Sequence, residues 1–244
     1  MSTQSATSIL STPAAADDVH SPVASSVPAA SSAAGTIAIV RPLPPEDQAR
    51  ADLYALAARL LLAPPDATLL AGLASADPIL STGGEHALED AWEQLVLGAS
   101  VMDAAAVSEE FDALFVSSGT PALNPYGSLY LSGFMNDTPL AELRADLAGF
   151  GIGRVRGALE SEDHLGALCE TMRVLIAGGS GIRRQPLSVQ KTFFEARIGR
   201  WYARCMNDMA SADGANFYRL VAAFVAALLA IEAEAFAVED GIQD

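Results

Sequence analysis

At 244 residues and 25.3 kDa, the chain is long enough for one domain with a full core or at most two small ones, and its 51% of hydrophobic residues, with a mean hydropathy of +0.28, can supply that core. Thirty acidic residues against 14 basic ones leave a formal charge of −16. That surface repels nucleic-acid phosphates and anionic lipid headgroups and suits a cationic partner, while also serving solubility. The two cysteines, Cys169 and Cys205, are far apart and fall inside helix-like patterns, which argues against a disulfide framework or a zinc site and fits a reducing compartment.

Residues 1–45 read as a disordered tail rich in Ala, Ser, Thr, Pro and Val; the first arginine is Arg41 and there is no lysine before it. No basic region precedes a continuous apolar run, so a secretory signal is not expected, and Thr36–Val40 is far too short to span a bilayer. The folded domain is expected over 46–237, followed by a short acidic tail at 238–244.

Much of the apolar content is alanine and leucine, with few β-branched runs, which predicts an all-α domain, a single helical bundle. Pro44-Pro45-Glu46-Asp47 suits a helix start, and Leu53, Tyr54, Leu56, Ala57, Leu60 and Leu61 recur at helical spacing until Pro64-Pro65. A second helix is predicted over 67–74, a turn at Gly83-Gly84, and a third helix from Glu85 to about Ser100 with Leu88, Trp92, Leu95 and Val96 facing in. Ser108 reads as the N-cap of the next helix, with Phe111, Leu114 and Phe115 as its stripe. From Gly119 to about Thr138 the pattern becomes irregular and predicts a long loop carrying Tyr126, Tyr130 and Phe134, a kind of loop often tied to function. Thr138-Pro139 opens a helix with Leu140, Leu143, Leu147 and Phe150. Ser161 reads as the cap of a helix containing Leu165, Leu168, Cys169, Met172, Leu175 and Ile176, closed by Gly178-Gly179. After the polar connector Arg183-Arg184-Gln185-Pro186, one helix is predicted from Ser188 to about Met209 and a last one from about Ala215 to Phe236. The uncharged stretch of that last helix, Leu220–Ile231, is about 12 residues, short of a membrane span, and reads as the buried central helix.

Two clusters carry candidate chemistry. Glu109 to Phe115 leads into Asn124-Pro125-Tyr126-Gly127-Ser128-Leu129-Tyr130, and Ser161-Glu162-Asp163-His164-Leu165-Gly166 opens a helix with two acids at its positive dipole end. Both also read as ordinary structure: aromatics plugging a core, and an acidic helix start with a half-buried histidine. Asp163 and His164 invite an acid–base pair, and a helical enzyme or cofactor carrier using them is the alternative reading. Against it, no G-x-S-x-G surrounds a nucleophile, no H-x-x-x-H or C-x-x-C pattern suggests a metal, and no glycine-rich phosphate loop is present. No catalytic residue, metal ligand or cofactor is assigned.

Several segments, in order, resemble the TorD/DmsD family of redox-enzyme maturation chaperones, to which the NarJ group is related. The opening helix from Arg50 to Leu56 with Leu60 and Pro64-Pro65 is similar to that family's start. Glu110 through Leu114-Phe115 and Gly119, then Pro125-Tyr126 with Ser128 and Tyr130, resembles its E-x-x-x-LF-x-G…P-Y/W-x-S-x-Y segment. Asp163-His164-Leu165-Gly166 resembles its E-P-D-H-L-G motif, and Trp201 and Phe217-Tyr218 fall where the family tends to have W and F-Y. The likeness covers about residues 46–237. Glu162 replaces the usual proline, Leu168 a frequent glutamate, and Gly127 a commonly larger residue.

The resemblance implies an all-α cytoplasmic chaperone and not an enzyme. It would bind the twin-arginine signal peptide of a molybdenum- or tungsten-containing oxidoreductase and assist cofactor loading before export. It implies that Glu110, Leu114, Phe115, Pro125, Tyr126, Ser128, Tyr130, Glu162, Asp163 and His164 bind the signal peptide. The partners would be the leader and body of the redox enzyme, with the molybdenum cofactor machinery as a further candidate. Nucleic acid and stable membrane insertion are not expected, and monomer and homodimer both stay open.

Overall fold

Alanine- and leucine-rich segments separated by proline, glycine and Asx caps fold as helices, as their spacing predicts. The computed structural model describes residues 10–11, 42–79, 86–116, 121–154, 160–179 and 181–240. Gly83-Gly84, Gly119 and Thr36–Val40 lie outside these, as does the expected tail except for residues 10–11 and 42–45. The described residues hold ten α-helices and no sheet of three or more strands; Leu10–Ser11 pairs antiparallel with Gly153–Arg154, and two isolated bridges complete the extended structure.

Helix α1 (Pro45–Leu62) begins with proline at its first position and ends before Pro64-Pro65. Helix α2 (Ala67–Ala74) is capped by Asp66, whose carboxylate accepts from Leu69 N at 2.8 Å. Helix α3 (Ala87–Val101) buries Leu88, Trp92 and Leu95. Helix α4 spans Ala104–Phe111, and its N-cap is Asp103, which accepts from the N–H groups of Ala105 and Ala106 at 2.9 Å. Ser108 therefore sits inside the helix, because an earlier carboxylate reaches the free N–H groups. A π-helical turn, Asp112–Val116, follows it. The expected loop after Gly119 contains a short helix, α5 (Gly127–Ser132), and then α6 (Thr138–Gly149) is capped by Asp137.

Helix α7 (Leu165–Ala177) is buried almost throughout: Leu165 through Met172 are all buried, as are Val174, Leu175 and Ile176. Small residues make this possible. A Cβ on Gly166 would lie 2.7 Å from Leu62 Cγ and 3.1 Å from Leu61 Cβ, so glycine there lets α7 nest against the end of α1. The predicted single helix over 188–209 is broken into α8 (Leu187–Phe194), a π-helical turn (Glu195–Gly199) and α9 (Tyr202–Ser211). Helix α10 (Phe217–Asp240) packs on α3 and α9. Val221, Phe224 and Leu228 are buried as expected and Trp201 is buried too, whereas Leu220 is half-buried.

By length and composition, Phe217–Val238 of α10 could cross a membrane, with a mean hydropathy of 2.1, a longer apolar stretch than the uncharged run alone suggests. In the fold it carries a buried acid, Glu232. Arg50 of α1 donates to both Glu232 oxygens at 2.8 Å, and also to Asp47 and Gln190. Tyr54 Oη donates to Glu232 as well. Burial pulls the Arg50 guanidinium toward neutrality, but the Glu232 carboxylate outweighs it and holds the charge. This pair ties the first helix to the last.

Candidate functional site

The ten residues singled out in the sequence fall into two groups. Glu110, Leu114 and Phe115 form a corner between α4 and α10. Glu110 accepts from Asn216 N at 2.9 Å, Phe217 N at 3.1 Å and Tyr218 N at 2.7 Å, so its carboxylate caps the start of α10 across 106 to 108 positions of sequence. Leu114 is buried, and Phe115 packs on Phe111 and Tyr218 with ring centroids 4.9 and 5.2 Å apart. These three residues serve the core.

The second group is a knot between two loops. Gly127 N donates to Asp163 O and Leu165 N to Pro125 O, both at 2.8 Å, and Tyr126 and His164 form a bridge. Asp163 is 3% exposed. One of its carboxylate oxygens accepts from Ser128 N at 2.9 Å and the other from Ser161 Oγ. Ser161 thus steadies Asp163 rather than capping α7. The cap is His164, 4% exposed, whose Nδ1 accepts from Gly166 N at 3.1 Å. An accepting Nδ1 requires a neutral ring protonated at Nε2. Burial drives the His164 pKa down to about 4 against the opposing pull of Glu160 and Asp163. Ser128 is fully buried, and its Oγ accepts from Asn136 N at 3.2 Å. Glu162, also buried, accepts from Nε and Nη2 of Arg144 at 3.2 and 2.9 Å, so the loop that lacks the proline is pinned to α6 by an ion pair.

As an acid–base pair, Asp163 and His164 are poorly placed: both carboxylate oxygens and Nδ1 are taken up internally, and neither residue faces solvent. The adjoining cavity, lined by Gly127, Ser128, Leu143, Asp163 and Arg197, has room for no more than one water molecule. Among the described residues no group of three or more His, Cys, Asp or Glu is arranged to hold a metal.

The knot presents two half-exposed tyrosines. Tyr126 donates its hydroxyl to Glu160, and its ring meets His164 edge-on with centroids 5.1 Å apart. Tyr130 stacks on Trp201 at 5.2 Å and 24°, and its hydroxyl donates to Asp208 at 2.8 Å. Burial, then the neighbouring acids, push the Tyr126 phenol far above its usual range. In the turn that follows α5, Phe134 is 72% exposed and Met135 is also exposed. Gly127 faces the Trp201 indole: a Cβ there would lie 3.4 Å from the ring that supports Tyr130, in ordinary contact with it.

Glu160, Arg204 and Asp208 belong to no sequence motif. The spacing of Trp201, Arg204, Cys205 and Asp208 marks one face of α9, but nothing local says that Tyr130, 71 to 78 positions earlier, lies along it.

The fold is an all-α bundle, and its candidate site is the surface that bears Tyr126 and Tyr130. A family model described as the nitrate reductase delta subunit matches residues 83–207, just over half of the chain, and the chain belongs to that family. The family consists of molybdoenzyme maturation chaperones related to TorD/DmsD, and its partner is a redox enzyme. Compared with individual curated proteins, the chain matches none.

Proposed function

We propose that this chain acts in the cytoplasm as a chaperone that binds the twin-arginine leader of a molybdenum- or tungsten-containing oxidoreductase, through the face bearing Tyr126 and Tyr130, until the cofactor is loaded. The observation that carries the reading is the pair of half-exposed tyrosines, each hydrogen-bonded to a carboxylate, with Phe134 and Met135 exposed in the turn that follows α5. A leader with a basic pair followed by an apolar stretch offers the complementary chemistry. The chain's charge of −16 favours the approach of such a segment.

Within this reading the ten residues divide their work. Tyr126 and Tyr130 touch the peptide. Pro125, Ser128, Glu162, Asp163 and His164 position them, and Glu110, Leu114 and Phe115 hold the neighbouring corner. The acids that meet the arginines are Glu160 and Asp208. Nucleic acid and stable membrane insertion have no part in this reading, and the molybdenum cofactor machinery is a further candidate partner.

Calorimetric titration of the full chain with an RR-leader peptide tests the proposal. Tyr126→Ala and Tyr130→Ala should each weaken binding by roughly ten- to a hundredfold, the range of a well-buried aromatic contact. Replacing the peptide's arginines by lysines should also weaken it, because lysine lacks the planar fork. A peptide that binds both tyrosine variants as tightly as the parent chain would move the site elsewhere.

A further inference from the structure

We infer that the face of Tyr130 is a recognition platform for a guanidinium group, and that the chain's own Arg204 rests on it as a stand-in which a client arginine displaces. This rests on the leader-binding reading above and names the subsite within it.

The Arg204 guanidinium carbon lies 4.8 Å from the centroid of the Tyr130 ring, within the range of a cation–π contact. The same guanidinium donates to the carbonyl oxygen of Tyr130. Asp208, one turn further along α9, accepts from the Tyr130 hydroxyl. An aromatic face and a carbonyl acceptor thus meet at the guanidinium, with a carboxylate at the phenol end of the same ring, and these are the groups a guanidinium selects. The platform does not need Arg204 to exist. Tyr130 is already held by its stack on Trp201, whose indole N–H is fixed by Arg197 O at 2.6 Å.

The occupant can also leave. Arg204 and Asp208 are exposed and Tyr130 is half-exposed, so withdrawing the arginine opens no core. An exposed cation–π contact is weak enough to be exchanged. Asp208 stays behind to meet the incoming charge. A tethered competitor lowers the apparent affinity by the fraction of time it holds the platform, and removing it restores that fraction. The device keeps an aromatic, acidic surface covered until an arginine-bearing segment arrives.

The experiment compares full-length Arg204→Ala, Arg200→Ala, Asp208→Asn and the parent chain in titrations with one synthetic peptide, an Arg-Arg pair followed by an apolar stretch. Arg200 is exposed and adjacent to Trp201, so it controls for loss of a positive charge. Arg204→Ala should bind about two- to tenfold tighter than the parent, the range expected for release of a weak internal contact. Arg200→Ala should change little, and Asp208→Asn should bind more weakly. If the parent binds and Arg204→Ala is no tighter, or Arg200→Ala tightens equally, the platform is wrong while the leader reading stands. If Arg204→Ala binds a peptide that the parent does not, the platform is supported. If neither binds, both readings fall.

Discussion

Two buried carboxylates, Glu232 in α10 and Asp163 ahead of α7, are stabilised in different ways. Glu232 meets a cation, Arg50, which reaches both of its oxygens from another helix, with Tyr54 adding a third donor. Asp163 is held by donors without charge, the backbone N–H of Ser128 and the hydroxyl of Ser161. The ion pair joins two long helices that are each already packed into the core through other helices, α1 on α7 and α10 on α3 and α9. The uncharged donors join two loops that have little apolar area of their own, so there the hydrogen bonds decide the conformation. A loop fixed in this way can carry side chains outward with defined aim, as Tyr126 and Tyr130 are carried.

The comparison is tested most severely by Arg50→Ala. It leaves Glu232 buried without its cation and should cost about 3 kcal/mol of unfolding free energy, measured by denaturant titration. Replacing both partners together, Arg50→Met with Glu232→Leu, should recover most of that loss. An Arg50→Ala protein as stable as the parent would show that the pair contributes nothing.

The knot has its own signature in pH. His164 has a folded pKa of about 4, depressed by burial, against an ordinary value of 6.5. The unfolded chain therefore binds the proton more readily. Stability from this residue is fully present above pH 6.5 and is lost as pH falls toward 4, by up to about 3 kcal/mol. His164→Asn keeps a capping side chain and removes the titration, so its stability should fall less steeply over that window. A parallel profile for both proteins would place the pH sensitivity elsewhere.

Asp163→Ala removes two hydrogen bonds to a carboxylate and should cost about 3 kcal/mol. In hydrogen exchange, the amides of Ser128 and Gly127 should lose protection while those of α10 keep theirs. Equal loss in both would make the knot and the core one cooperative unit. The smallest effect on folding is expected from Tyr126→Phe. It removes only the hydroxyl contact to Glu160 on a half-exposed side chain and should change stability by less than about 0.5 kcal/mol. A larger change would mean that Tyr126 belongs to the structural knot and not to the outward face.

Helices α1, α2 and α6 were legible because their apolar spacing and their proline or Asx boundaries agree, and α3 from its apolar spacing alone. Serine caps were less legible. Ser108 and Ser161 both have good capping chemistry, yet Asp103 and His164 reach the free N–H groups first. The break between α8 and α9 was invisible to periodicity, since Phe194, Ile198, Trp201 and Cys205 keep helical spacing through the π-helical turn and Trp201 turns in to support Tyr130. At the candidate site, the motif residues were found, but their depth was not. Asp163 and His164 read as contacts for a ligand and lie beneath the surface, whereas Asp208 and Arg204, outside any motif, stand on it.

The sequence by itself determined the helical class, because alanine and leucine at a period near 3.6 satisfy both local propensity and burial, and the ordered motifs that mark its family. Tertiary structure alone decided which carboxylates are available. Glu110 is consumed by the start of α10 more than a hundred residues away, and Glu162 by Arg144, while Asp208 is brought to Tyr130. A carboxylate's role depends on which donors the folded chain delivers to it, and delivery over such distances is set by how the helices pack.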